Sequence, residues 1–221
     1  GYQSKSDEKI STLLNIVNNY SKSPLVVKSL YEIANTFQGL SQNDKALKYY
    51  DQIIVDYPKK TEMVQAALYN TGLIHLQDKK YAKAEALFKR VLGEFSTSGE
   101  QCKSVISSLI DLYKAKGTPE KVGELPGLYP CAEISEDEQE FIYFETAFGL
   151  YQDSAYAQTI PAIQNYLNKY PNGPHKIDLL FFMAESYYNT DDKENALSFY
   201  EQLIAEKENS LTEKALIRAS F

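Results

Sequence analysis

The residues best suited to metal binding or nucleophilic catalysis are few and far apart in this chain. His75 and His175 are the only histidines, and Cys102 and Cys131 are the only cysteines. Neither histidine has a second His or Cys at the spacing of a metal site. A glycine-rich phosphate loop and the serine-bearing turn of hydrolases are also missing. The sequence therefore predicts no catalytic residue, no metal site and no cofactor.

Acidic residues cluster at two places, SEDEQE (135–140) and DDKE (191–194). Carboxylates are favourable at the start of a helix, where the backbone carries partial positive charge. Ser135 precedes Glu138, and Asp191 precedes Glu194, by the spacing of a capping box. We interpret both clusters as solvated helix starts. Catalysis by carboxylates that converge from distant positions stays as a remote alternative.

The composition excludes some classes of partner. The 221 residues are 43% hydrophobic and 24% charged, with 18 Tyr, 10 Phe and no Trp. A net charge of -7 argues against a nucleic-acid partner, which requires a basic face. The longest apolar run, LLFFMA (179–184), is far shorter than the roughly 18 residues of a membrane span. We therefore expect neither nucleic-acid binding nor direct membrane insertion.

A short pattern recurs along the chain: a bulky apolar residue, then a small one, then an aromatic residue or His three positions later. The middle position is occupied by the small residues Ala34, Gly72, Ala147 and Ala184, and in the third copy by the larger Ile110. Successive members of this set lie 38, 38, 37 and 37 residues apart. A constant period of this length indicates a helical-repeat array.

A second amphipathic stretch follows most copies of the pattern, with apolar residues at i, i+3, i+4 and i+7. These stretches are 44–58, 80–95, 159–171 and 192–208. Tyr-Pro at 57–58 and 170–171 ends two of them, since the residue before proline resists the helical conformation. Each repeat is therefore predicted to be a helix, a short turn and a second helix.

This pattern resembles the tetratricopeptide repeat family. The best copy has the family spacing at Leu68, Thr71, Gly72, His75, Ala84, Phe88, Val91 and Ser96. Further copies begin at Leu30 and Leu180, and a weaker one at Tyr143. The period exceeds the usual 34 residues, and repeats that end in Tyr-Pro look like those of bacterial cell-envelope members. The resemblance covers 25–208 and implies an all-α, right-handed α-solenoid of antiparallel helix pairs.

The frame divides the chain into repeats at 25–60, 61–98, 99–134, 135–173 and 174–208, with partial repeats at both ends. We expect 1–221 to form a single solenoid, as a fragment of a longer array. The third repeat is degenerate, because TPEKVGELPGLYPC (118–131) occupies its second-helix position. Thr118 and Pro119 suit a helix start. Pro126 occupies the position of Phe88 and should break the helix, loosening the solenoid without dividing it.

The repeat frame also assigns packing roles. Small residues such as Gly72 should lie where two helices cross closely, with Phe88, Tyr50 and Tyr200 filling the gap to the next hairpin. His75 takes the aromatic position, so we interpret it as a packing residue, and His175 lies in an interhelix turn. Cys102 and Cys131 fall at adjacent ends of one hairpin, so a disulfide is geometrically allowed. Two free thiols are the alternative, and the compartment decides between them.

The resemblance implies a partner peptide or helix on the concave face lined by first helices. The corresponding positions are Tyr31, Asn35, Tyr69, Asp111, Phe144, Phe148, Tyr151, Phe181, Glu185 and Tyr188. Tyr31 stands where carboxylate-clamping members have Lys, so we expect an apolar or aromatic client. Packing within the array is the alternative role for any one of these aromatics.

The leading hypothesis is a non-catalytic protein-interaction scaffold in a larger bacterial envelope or periplasmic protein. The alternative is a carbohydrate or small-ligand module that uses the Tyr/Phe groove.

Overall fold

The computed structural model describes residues 2–59, 61–95, 99–206 and 209–220. These residues form twelve α-helices and one 3-10 helix, and no β-strand occurs among them. Ser96 and the predicted repeat ends at 60, 98 and 208 lie outside the described residues. The predicted all-α class is confirmed.

Helices alternate between the two predicted roles. The first helices of the repeats are α2 (Val26–Gly39), α4 (Thr61–Gln77), α6 (Gly99–Lys116), α8 (Glu136–Gln152), α10 (Lys176–Asn189) and α12 (Thr212–Ala219). The second helices are α1 (Tyr2–Asn19), α3 (Asn43–Asp56), α5 (Tyr81–Glu94), α9 (Tyr156–Lys169) and α11 (Lys193–Ala205). Four hairpins pack pairwise, α2 with α3, α4 with α5, α8 with α9 and α10 with α11.

Contacts between residues divide the chain into two compact units, 1–112 and 113–221. In unit 1, α1 packs on α2 and α3 packs on α4, so each hairpin contacts its neighbour. In unit 2, α9 packs on α10 and α11 packs on α12 in the same way. That the whole chain is one array, and a piece of a longer one, stays a prediction.

All five turns between a first helix and the following segment share one backbone geometry. A left-handed residue, with φ between 57° and 74°, occurs at Ser41, Lys79, Gly117, Ser154 and Asp191. The next amide donates to the carbonyl of the residue four positions before the left-handed one, over 2.8 to 2.9 Å, as from Gln42 to Phe37. This bond satisfies a carbonyl that the helix end leaves open. The left-handed positions lie 38, 38, 37 and 37 residues apart, which confirms the period.

The small residues lie at close helix crossings, as predicted. Ala34, Ala84 and Ala184 have no exposed surface. A methyl group placed on Gly72 of α4 would lie 2.6 Å from Cε1 of Phe88 on α5. Phe88 is itself fully buried, as are Tyr50 and Tyr200 to within 1%. The crossing of α4 and α5 therefore depends on the missing side chain of Gly72.

The third repeat lacks a regular second helix. A 3-10 helix (Pro119–Glu124) is followed by a single short helix, α7 (Leu125–Leu128). Val122 and Leu125 are buried in the place of a helix face. The sequence aligned Pro126 with the buried Phe88 of the preceding repeat. In the structure Pro126 is exposed, and the neighbouring Leu125 is the buried residue. Thr118 precedes the 3-10 helix as its N-cap residue but makes no side-chain capping bond.

One of the two predicted capping boxes is correct. The Ser135 side chain accepts from the amide of Glu138, and the Glu138 carboxylate accepts from the amide of Ser135. The prediction for Asp191 is wrong by one residue, because Asp192 caps α11 and accepts from the amide of Asn195. Asp191 takes the left-handed position of the turn, with φ of 63°, and the capping role passes to the residue after it.

Candidate interaction surfaces

Aromatic side chains form a continuous surface on the first helices of unit 2. We call it the aromatic face, and it comprises Phe141, Phe144, Phe148 and Tyr151 of α8 with Phe181 and Phe182 of α10. The α8 members are three or four residues apart, which places them along one side of the helix. Because α8 and α10 open successive antiparallel hairpins, they run in the same direction and lie side by side.

The rings of the aromatic face stack on one another. Phe144 and Phe148 lie 5.6 Å apart between centroids, with 5° between their planes. Phe148 stacks on Phe182 at 5.5 Å, and Tyr151 stacks on Phe182 at 4.5 Å. Offset stacking of this kind adds roughly 0.5–1.5 kcal/mol per pair beyond burial. All six rings keep some exposure, and Phe141 is 47% exposed. The surface is therefore both ordered and accessible.

His175 extends the aromatic face at the start of α10. Its ring lies parallel to that of Phe144, with the centroids 3.9 Å apart. Its Nδ1 lies 2.9 Å from Oε1 of Glu140, which also accepts from the hydroxyl of Tyr166. Since an ionised carboxylate only accepts, Nδ1 is the donor in this contact. Burial raises the pKa of the Tyr166 phenol, which keeps that hydroxyl a donor.

Glu185 and Tyr188 lie further along α10 and are occupied by the last helix. Glu185 is 7% exposed and accepts from the buried hydroxyl of Tyr200. Arg218 of α12 places Nε 3.0 Å from Oε1 of Glu185 and its guanidinium 5.5 Å from the ring centre of Tyr188. Glu185 is thus already paired within the chain, whereas Tyr188 is 40% exposed.

The predicted positions of unit 1 form polar contacts instead. Asn70 donates from Nδ2 to the hydroxyl of Tyr31 over 3.0 Å and to Oδ1 of Asn35 over 3.4 Å. Asn35 also accepts from the hydroxyl of Tyr50 at 2.5 Å. The Tyr69 hydroxyl lies 3.1 Å from Oγ of Ser108. These bonds tie neighbouring helices of the unit together.

The sequence predicted some, but not all, of the residues in the aromatic face. Of the predicted positions, Phe144, Phe148, Tyr151 and Phe181 come together in the aromatic face. Asp111 is exposed on α6 and belongs neither to the aromatic face nor to the polar contacts of unit 1. Phe141, Phe182 and His175 were not predicted, although the 141–144–148 spacing on one helix side was a visible signal for Phe141.

A hollow of about 330 Å³ lies at the start of α8. Its walls include Glu136, Asp137 and Glu140, and the turn 170–174 that leads to His175. In the described part of the chain, no group of three or more His, Cys, Asp or Glu residues is arranged to hold a metal ion. Of the helices in those same ranges, none is both long and apolar enough to cross a bilayer.

Cys102 and Cys131 are both disulfide-bonded, and neither is a free thiol. That they bridge each other within one chain stays a prediction.

Repeated helix pairs with a common turn define a helical-repeat protein. Residues 31–99 match a family model described as tetratricopeptide repeat, and residues 178–210 match a second model with the same description. Over these two stretches the chain is therefore similar to tetratricopeptide repeat proteins.

Two solved structures are similar in outline. One is a tetratricopeptide repeat protein from Parabacteroides merdae, 18% identical, with a TM-score of 0.46 over 99% of this chain and 79% of that one. The other is a Podosopora anserina protein with nearly identical TPR-like repeats, 14% identical, with a TM-score of 0.45 over 92% and 87%. No curated protein matches the chain significantly.

Proposed function

We propose that this protein is a non-catalytic scaffold that binds a partner peptide or helix on the aromatic face of unit 2. The observation that carries the proposal is the unbroken stack from Phe144 through Phe148 and Phe182 to Tyr151, which remains partly exposed. Proteins built from tetratricopeptide repeats typically bind proteins or peptides, and the proposal assigns that role to this surface.

The physics of interfaces supports the assignment. Aromatic residues are enriched among the few side chains that dominate binding energy, because they bury much area at a low entropic cost. Stacking already holds the rings of Phe144 and Phe148 in place, so binding would lose little further side-chain freedom. A preorganised apolar surface of this kind suits a peptide with apolar side chains.

A sugar ligand is supported less well. Sugars stack on open ring faces, whereas Phe144, Phe148 and Phe182 use their faces on one another or on His175. Trp, the residue most suited to such stacking, is missing from the sequence. The protein-binding role is therefore preferred.

The proposed setting is a larger bacterial envelope protein in an oxidising compartment such as the periplasm. Its support is the disulfide-bonded state of Cys102 and Cys131, since disulfides persist in such compartments and are rare in the cytosol.

The experiment is selection from a displayed library of random peptides, on the wild-type chain and on a Phe144→Ala/Phe148→Ala variant. We expect the wild-type protein to enrich peptides that the variant does not bind. Tyr20→Ala is the matched control, because Tyr20 is an exposed aromatic residue of unit 1. Phe141→Ala is a second test variant, and since its ring is 47% exposed we expect it to cost less stability than the double variant.

Far-UV circular dichroism and thermal melts establish that each variant is folded before selection. Enriched peptides that bind wild type, Phe141→Ala and the Phe144/Phe148 variant equally would refute the aromatic face as the site. A glycan array run beside it tests the alternative, and sugar-dependent stabilisation without peptide enrichment would replace the proposal.

A further inference from the structure

We propose that the segment bound by the aromatic face carries lysine or arginine beside its apolar residues, and that these pair with Asp137 and Asp178. The inference rests on the proposed function and adds the chemistry of the partner. It comes from the charges at one end of the face, where both first helices begin.

Asp137 begins the aromatic stripe of α8. It lies four residues before Phe141 and seven before Phe144, so helical periodicity places it on the side of the helix that carries the rings. It also lines the hollow of about 330 Å³ at the start of α8. That space admits a lysine or arginine side chain beside its carboxylate.

Asp178 occupies the corresponding place on α10. It lies three residues before Phe181 and seven before Glu185, in the first turn of the helix. Because α8 and α10 run in the same direction, Asp137 and Asp178 lie at the same end of the aromatic face. A bound segment would therefore meet two carboxylates at that end and stacked rings along the rest.

These two carboxylates lack the partners that neighbouring acids have. Glu140 is paired with His175, Glu145 with Lys114, and Glu185 with Arg218. Within the described ranges, neither Asp137 nor Asp178 has an ion pair or a side-chain hydrogen bond. Helix starts carry only about half a positive charge each, so this end of the face stays net negative.

Further along α10, beyond the aromatic face, one basic side chain from within the chain is already bound. Arg218 of α12 packs its guanidinium over Tyr188 and pairs with Glu185. Carboxylate and ring together thus bind a guanidinium on α10, two turns beyond Asp178. This contact shows the chemistry that we assign to the free end of the face.

The probes are three synthetic peptides that share the same apolar and aromatic residues and carry Lys, Gln or Glu at all remaining positions. Their affinities are measured by fluorescence anisotropy at about 0.05 M and 0.3 M salt. We expect the Lys peptide to bind most tightly and the Glu peptide most weakly. We also expect the advantage of Lys over Gln to shrink at the higher salt.

Asp137→Asn/Asp178→Asn should reduce that advantage by roughly three- to tenfold, as expected for two partly solvated ion pairs. Glu194→Gln is the matched control. Glu194 is also an exposed acid in the first turn of a helix, but α11 is a second helix and does not carry the face. The control should bind all three peptides as wild type does.

Equal binding of the Lys and Gln peptides by wild type would overturn the charge inference and leave the proposed function standing. So would a preference for Lys that the Asp137/Asp178 variant retains in full, since net charge alone would then explain it. Failure of every peptide to bind, together with no enrichment from the random library, would refute the proposed function itself.

Discussion

The imidazole of His175 lies against the ring of Phe144, with 3.9 Å between their centroids and 15° between their planes. The two residues are 31 positions apart, one in a turn and the other in the middle of α8. Glu140 contacts the same imidazole at Nδ1. His175 therefore connects the start of α10 to the stacked rings of α8.

Removing this connection should destabilise unit 2. His175→Ala loses a stacked pair and leaves the carboxylate of Glu140, which is 10% exposed, without one of its two donors. We expect a loss of about 1–3 kcal/mol in the free energy of unfolding. Urea or guanidinium denaturation measures it.

His175→Asn serves as the control, because its amide can still donate to Glu140 while the stacking is lost. It should recover part of the stability. An alanine variant as stable as wild type would show that the contact contributes nothing measurable.

The crossing of α4 and α5 makes a second prediction. Gly72→Ala places a methyl group 2.6 Å from a ring atom of the fully buried Phe88. We expect a cost of about 1–3 kcal/mol through overpacking. Gly149→Ala is the matched control, since nothing lies within 4 Å of its added methyl group and it is inside α8. That change should stabilise the protein by up to about 1 kcal/mol. Equal effects of the two substitutions would refute the assigned crossing.

Local rules made the repeat readable from the sequence. The small residue at the crossing, the aromatic residue three positions later and the turn after it all lie within about two helical turns of one another. Most copies therefore show the same signal, as at Gly72, His75 and Lys79. The degenerate third repeat was visible for the same reason, because proline acts on its own helix.

Contacts between repeats could not be predicted from the sequence. His175 meets Phe144 and Glu140 across two elements, and no spacing rule relates a turn residue to a helix so far away. Whether Phe181 or Phe182 stacks on the rings of α8 depends on how α10 is rotated against α8, and packing decides that rotation. The capping residue was misplaced by one for a related reason, since the left-handed conformation of Asp191 belongs to the preceding turn.

The cysteines give a third prediction. Cys102 and Cys131 are the only two in the chain and both are disulfide-bonded, so we expect a single bridge within each molecule. Thiol counting on the denatured, unreduced protein should find none, and two after reduction. Reduction should cost about 2–4 kcal/mol of stability, since the bridge closes a loop that is otherwise free in the unfolded chain.

Cys102→Ser/Cys131→Ser is the control, and it should match the reduced wild type and no longer respond to reductant. Two reactive thiols before reduction would contradict the intrachain bridge. A dimer on a non-reducing gel would replace it with a bridge between chains.

His75 predicts how stability depends on pH. Burial, with Lys80 and Lys83 nearby, lowers the pKa of its imidazole below 6.5 in the folded protein. Its buried Nδ1 also has no hydrogen-bond partner. The unfolded chain then binds the proton more readily than the folded one as pH falls below 6.5. The contribution of His75 is therefore fully present above this range and is lost as pH falls through it.

His75→Phe supplies the aromatic ring that this position of the repeat usually has, and it cannot be protonated. The difference in unfolding free energy, variant minus wild type, should grow as pH falls from about 8 to about 5.5. Chemical denaturation at several pH values measures this difference. His175 is present in both proteins, so the comparison isolates the change at residue 75. A difference that stays constant with pH would show that protonation of His75 is no more costly in the folded protein than in the unfolded chain, contrary to its assignment as a packed, neutral side chain.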